Sequence, residues 1–217
     1  MGSVGTQVHP AVQEPCTQVS DGRAAVFFDR DGTLIEDVGY LSNAAGLRMI
    51  PGAAEGVRRL NDHGFLTFVI SNQSGVARGY FSEQALVPIH QRLEAELSSA
   101  GAHLDHIYYC PHHPTRGTPP YNVECACRKP RTGMLEQAVK EFNVDLRRSY
   151  VIGDKFADVK VGHTAGTRTV LVLTGYGPSA VQECREAGIT PDAVRPSVAE
   201  AVAFIMEHTE GDAHHHA

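Results

Sequence analysis

The stretch Phe27–Asp37, FFDRDGTLIED, ends an apolar run on two carboxylates one residue apart, Asp29 and Asp31, with Gly32 and Thr33 behind them. Ala24-Ala25-Val26 leads into it. Two like charges at the end of a buried strand repel each other and lose hydration, so they need a positive partner. A divalent cation meets that need. Mg²⁺ takes oxygen ligands, accepts one or two carboxylates and keeps water and phosphate in its other positions. A carboxylate placed there can also attack phosphorus, and a second carboxyl can serve as general acid and then base. The stretch predicts a strand that delivers a phosphate-handling site.

Outward from it, strand and helix signals alternate. Strands are expected over 24–29, 65–71, 106–110, 149–154 and 167–173. Helices are expected over 51–64, 82–101, 132–142, 156–166, 180–188 and 197–208. Ser82 reads as a helix N-cap, Pro88 as a kink, and Ser197 with Glu200 as a capping box. This alternation predicts an α/β fold, a doubly wound parallel sheet covered on both faces. Ligands in such sheets sit outside the carboxyl ends of the strands. Asp29, Ser71 and Asp154 each fall at such an end. Lys129 is the cation expected to offset phosphoryl charge.

The 217 residues suit one domain, expected over 23–209. Residues 1–22 read as a loose polar arm and 210–217 as a solvated tail with a His triplet. MGSVGT fits a myristoylation pattern nominally, but no polybasic patch follows it. No apolar run reaches the ~20 residues of a membrane span, and the N-terminal stretch, with no basic segment followed by an apolar block, is not expected to be a secretory signal. The net charge of −6 argues against a nucleic-acid partner. A cytoplasmic monomer acting on a small substrate is expected.

Three of the five cysteines fall between positions 110 and 127, which a disulfide framework does not explain. The segment 108–130, YYCPHHPTRGTPPYNVECACRKP, offers a Cys-x-His pair, Cys110 and His112, and a Cys-x-Cys pair, Cys125 and Cys127. Four N/S ligands are what structural Zn²⁺ requires. His113 is a rival to His112, and regulatory oxidation is the competing role for the thiols. A metal staple would fix this Pro-rich loop and place Arg128 and Lys129, which directly follow Cys127.

Together these segments resemble the haloacid dehalogenase superfamily of phosphatases. DRDGT is similar to its first motif, Ser71 to its second, Lys129 to its third and GDKFAD (153–158) to its fourth. The resemblance covers roughly residues 24–208. It implies a Rossmann-like fold with Asp29 as nucleophile and Asp31 as general acid/base. It implies that Ser71 and Lys129 hold the phosphoryl group. Mg²⁺ would lie between Asp29, the main-chain carbonyl of Asp31, and Asp154. Within the superfamily, DRDGTLIEDVGYL, SNQSGVARGYF, YYCPHHP and CACRKPRTGML resemble the zinc-loop subgroup of heptose-bisphosphate and histidinol-phosphate phosphatases, which has no large cap. That resemblance implies substrate contacts from Asp37, Val38, Gly39 and Tyr40, from Ser71, Asn72, Gln73 and Ser74, and from Arg128, with Lys155 supporting the site. Arg78 reads as a solvated loop charge. His90, with six other histidines, reads as a surface or packing residue.

The implied function is Mg²⁺-dependent removal of the C7 phosphate from a heptose 1,7-bisphosphate. Histidinol-phosphate hydrolysis is the alternative, and a polynucleotide 3′-phosphatase a weaker one. A zinc-stapled binding module without catalysis is the non-enzymatic reading, and the intact Asp29, Asp31, Lys129 and Asp154 oppose it.

Overall fold

The computed structural model describes residues 22–213, with side-chain surroundings through residue 209. The call of a loose arm therefore lies outside the described residues except at Gly22, which is buried. The His triplet also lies outside them.

Six parallel strands form one sheet in the order β3-β2-β1-β4-β5-β6. They are β1 (Ala25–Phe28), β2 (Leu66–Asn72), β3 (His106–Cys110), β4 (Tyr150–Gly153), β5 (Arg168–Val172) and β6 (Ala193–Arg195). The strands read from sequence are all present. The short β6 was not expected, because only three residues pair and Val194 points outward. β1 lies in the middle, in register with Leu66 of β2 on one side and Tyr150 of β4 on the other.

The helices are α1 (Ala53–Asp62), α2 (Leu86–Ser99), α3 (Gly133–Phe142), α4 (Phe156–Ala165), α5 (Gly177–Glu186) and α6 (Val198–Ala213). Side chains alternate across a strand, so β1 feeds two cores. Val26 and Phe28 face α1, α2 and α6 beside Val57, Leu60, Leu93 and Ile205. Ala25 and Phe27 face α3 and α4 beside Leu135, Ala138 and Val161. Phe68 stacks on Phe27 at 5.2 Å and meets Phe142 edge-on at 5.0 Å. Truncating such a ring to alanine costs about 3–5 kcal/mol.

Two local expectations are corrected. Pro88 neither kinks nor splits the helix. A 3-10 turn (Glu83–Ala85) comes first, and α2 begins at Leu86, so Pro88 lies in a first turn whose N–H groups have no intrahelical acceptor. Ser82 makes no side-chain cap. The capping pair before α6 does form: Ser197 Oγ donates to Glu200 at 2.5 Å and accepts from Ala199 N–H at 3.2 Å. The helix continues to Ala213, past the expected end at 208. Between β1 and β2 lie only α1 and a short 3-10 turn (Ala44–Gly46), so no large cap covers the site. Among the described residues no helix is long and apolar enough to cross a membrane.

Candidate active site

The carboxyl ends of β1, β2 and β4 converge as expected, and a lysine from the cysteine loop fills the space between them. Lys129 is 4% exposed. Its ammonium donates to Asp29 Oδ1 at 2.9 Å, Ile70 O at 2.6 Å and Asp158 Oδ1 at 2.5 Å. Its three donors are thereby all used. Burial alone would lower its pKa. Asp158 and Asp29 outweigh that effect, and the group stays charged. Burial likewise works to raise the Asp29 carboxyl, but Lys129 and Lys155 hold it well below the usual carboxylate range. Asp29 is thus a buried, anionic carboxylate held between two cations.

Asp158 is a site residue that sequence reasoning missed. It stands in the first turn of α4, four residues after Asp154, and its Oδ2 accepts the Lys155 N–H at 3.0 Å. The sequence carried a signal, since GDKFAD contains both carboxylates.

A second cation, Lys155, sits in a pocket of oxygens. Its ammonium lies 2.8 Å from the main-chain oxygen of Asp31, 3.2 Å from Asp154, 3.2 Å from Asp37 and 3.3 Å from Asp29. The pocket is built for positive charge, and its carboxylate and carbonyl donors are those that Mg²⁺ takes. The three carboxylates Asp29, Asp154 and Asp158 also lie close enough to share a cation, but Asp158 is already paired with Lys129. Burial, and next the Asp29 charge, push the Asp154 carboxyl up to about 7. The N–H of Tyr176 donates to Asp154 Oδ2 at 2.8 Å. Gly32, at φ +93, and Gly175 both lie against that carboxylate, and a Cβ on either would strike it.

Asp31 is held from two sides. Arg30 Nη2 donates to both of its oxygens, at 3.0 and 2.9 Å, and Gln73 Nε2 donates to Oδ2 at 2.8 Å. Gln73 also reaches Ser71 Oγ at 2.6 Å.

The other expected contacts divide. Asn72 pins Lys129, exchanging hydrogen bonds with its main chain at 3.0 and 3.1 Å. Asp37 pairs with Lys155 and caps Gly39 N–H at 2.7 Å. Val38, Gly39 and Tyr40 are exposed, and the Tyr40 ring meets Tyr80 edge-on at 4.6 Å. Ser74 is half-buried next to Gln73. Arg128 donates to the His112 carbonyl at 3.1 Å.

The cysteine loop brings its four expected ligands together. Sγ–Sγ separations are 3.5 Å for Cys110–Cys125 and 3.3 Å for Cys125–Cys127. His112 Nδ1 lies 3.7 Å from Cys110 Sγ and 3.5 Å from Cys127 Sγ. A tetrahedron built on Zn–S bonds of about 2.3 Å and a Zn–N bond of about 2.0 Å has edges of roughly 3.5–3.8 Å. The cluster fits that size within a few tenths of an ångström. The rival His113 faces away, with its Nδ1 accepting the N–H groups of Thr115 and Arg116. Among the described residues no cysteine is in a disulfide.

A family model described as HAD-hyrolase-like matches residues 126–201, from the cysteine loop into α6. The chain is 41% identical over 186 residues to the D-glycero-beta-D-manno-heptose-1,7-bisphosphate 7-phosphatase of Haemophilus ducreyi, covering 85% of this chain and 99% of that one. It is 42% identical to the corresponding phosphatase of Thermosynechococcus vestitus, covering 86% and 97%. The chain belongs to the heptose-bisphosphate phosphatase family. Among solved structures, the family's enzyme from B. bronchiseptica, complexed with magnesium and phosphate, superimposes with a TM-score of 0.75 at 28% identity over 85% of this chain and 99% of that one. A HAD-like phosphatase from Mesorhizobium loti gives 0.72 at 30% identity over 93% and 90%. Family membership makes this protein a phosphatase of the haloacid dehalogenase type, as the four motifs implied.

Proposed function

We propose that the protein removes the C7 phosphate of D-glycero-D-manno-heptose 1,7-bisphosphate through an aspartyl-phosphate on Asp29. The observation that carries the reading is the buried Asp29 carboxylate, kept ionised by Lys129 and Lys155 at the strand ends of a chain with heptose-bisphosphate phosphatase relatives.

In the first half of the reaction Asp29 attacks phosphorus, and the bond from phosphorus to the sugar oxygen breaks. Asp31 gives its proton to that oxygen. In the second half Asp31, now a carboxylate, takes a proton from water as the water oxygen bonds to phosphorus. The Asp29–phosphorus bond breaks, and inorganic phosphate leaves. Ser71 donates to a phosphoryl oxygen, and the Lys129 ammonium exchanges its Asp29 contact for another, offsetting the charge that builds there. Asp29, Asp154 and the Asp31 carbonyl would hold Mg²⁺, which when bound neutralises phosphoryl charge and helps align the displacement. The Lys155 ammonium competes for the same oxygens.

Cys110, His112, Cys125 and Cys127 hold a structural Zn²⁺ in this reading, and the staple sets the position of Arg128 and Lys129. Arg128 and the rim of Asp37, Val38, Gly39, Tyr40 and Ser74 face the sugar. Free thiol ligands suit a reducing compartment, so the protein works in the cytoplasm, as a monomer in heptose nucleotide synthesis. With a net charge of −6 it needs no nucleic-acid or membrane partner. Nothing at the site favours histidinol phosphate or a 3′-phosphorylated strand.

The test is phosphate release with Mg²⁺ on a panel. It holds both heptose 1,7-bisphosphate anomers, histidinol phosphate, fructose 1,6-bisphosphate and a 3′-phosphorylated oligonucleotide. A heptose bisphosphate should be preferred by about 100-fold, or ~2.7 kcal/mol in the transition state. Equal rates across the panel would overturn the substrate assignment.

A further inference from the structure

Arg30 is the largest fully buried side chain of the described residues, 1% exposed, and it stands between the two aspartates of the opening motif. Burying a guanidinium is costly unless every donor finds an acceptor. Its partners reveal its role. One edge grips Asp31, with Nε at 3.3 Å and Nη2 at 3.0 and 2.9 Å. The other edge meets α2, where Nη1 lies 3.3 Å from Nε2 of His90.

A guanidinium only donates, so His90 Nε2 must accept, and the ring proton sits on Nδ1. Protonated His90 would set two donors face to face. Burial, and next the Arg30 charge, lower its pKa to about 4, so the ring is neutral near pH 7. The Tyr109 ring lies beside it, with centroids 5.4 Å apart.

We propose that His90 and Arg30 form a positioning relay for Asp31, in which neutral His90 anchors the guanidinium and the guanidinium aims the carboxyl group. Arg30 and Gln73 both take up lone pairs of Asp31, and its side chain keeps 16% of its surface open. The open part is where the leaving oxygen or the attacking water must approach. A carboxyl fixed on two sides loses little freedom when it transfers a proton. Neither Arg30 nor His90 touches the phosphoryl group in this scheme. The inference rests on the reading of Asp31 as the general acid.

The experiment compares leaving groups. An alkyl phosphate, such as the heptose bisphosphate, needs a proton on its departing oxygen. 2,4-Dinitrophenyl phosphate does not. Values of kcat/KM report the steps through leaving-group departure. His90→Phe keeps the ring contact with Tyr109 but removes the acceptor. It should lower kcat/KM on the alkyl phosphate about tenfold, ~1.4 kcal/mol, and on the aryl phosphate less than twofold. His90→Gln returns an acceptor near the place of Nε2 and should recover most of the loss. Arg30→Lys, which cannot grip both oxygens, should show the same selectivity with a larger alkyl loss. Asp31→Asn is the control for the underlying reading. If it slows both substrates equally, Asp31 is not the general acid, and the relay falls with it. If Asp31→Asn is alkyl-selective while His90→Phe slows both equally or neither, the relay alone is overturned.

Discussion

Replacing Asp158 by asparagine strikes at the charge balance around Lys129. In the native site the ammonium is nearly sealed from water and has two carboxylates and one carbonyl. Asparagine keeps an oxygen for the Lys155 N–H, but its amide then turns a donor toward the ammonium. Breaking a buried ion pair from one side costs about 3–5 kcal/mol, because the abandoned charge stays buried. Asp29 remains beside Lys129, so the lower part of that range is expected. Against a typical total of about 5–15 kcal/mol, the loss is large. With a urea dependence of ~2 kcal/mol/M, the unfolding midpoint should fall by about 1.5 M. Lys129 should also be drawn onto Asp29, weakening its grip on phosphate and raising KM. Urea unfolding followed by circular dichroism gives the first number, and steady-state kinetics the second. The double variant Asp158→Asn with Lys129→Met should lose less than the sum of the singles, since it strands no cation. A single-variant shift below ~0.5 kcal/mol would refute the claim that the pair is buried and charged.

Other outcomes are expected at the same site. With the Asp154 carboxyl raised to about 7, it carries a proton below that pH and must release it to bind metal, so Mg²⁺ affinity should weaken as pH falls from 8 to 6. Calorimetry in two buffers of different ionisation enthalpy should show close to one proton released per Mg²⁺ at pH 6; equal affinity at both pH values would contradict this. Gly32→Ala should abolish Mg²⁺ binding and destabilise the fold by about 1–3 kcal/mol, because the residue has φ +93 and its new Cβ strikes Asp154; calorimetry and thermal unfolding read the two effects. Cys125→Ala should leave protein with less than one zinc per chain by elemental analysis and lose activity through displaced Lys129; full activity in the zinc-free variant would sink the staple.

The strand ends were legible because buried parallel strands read as continuous apolar runs, as β1, β2, β4 and β5 largely do; the edge strand β3, which starts on exposed His106, was legible from its Ile and Tyr residues instead. β6 was not, since three residues with one side chain in solvent carry no such signal. The helix bounds slipped where a 3-10 turn took over the expected start, at Glu83–Ala85. The four residues of the Cys/His cluster were legible from spacing, and geometry brings His112, not His113, to the three thiols. Asp158, Tyr176, Arg30 and His90 were harder. Asp158 was within a quoted motif, but only its pairing with Lys129 shows its place. Tyr176 acts through a main-chain N–H, which no side-chain pattern records. Arg30 and His90 are 60 residues apart in the chain, and only the packing of α2 onto the first loop joins them.

The central position of β1 has a consequence for how the protein comes into being. Asp29 is made well before β4, yet its strand has a neighbour on each side. One is β2. The other is β4, and Ser149, just before it, accepts the Ala25 N–H across 124 residues of chain. At a ribosomal pace of about 5–20 residues per second, β1 waits roughly 6–25 s for that second neighbour to be synthesised. Thr174 and Tyr176, which close over Gly32 and Asp154, emerge later still. A nascent chain therefore carries both aspartates of the opening motif long before it can hold either in place. Turnover begins only when nearly the whole sheet has been made, so activity in a translation reaction serves as a clock for the completion of folding.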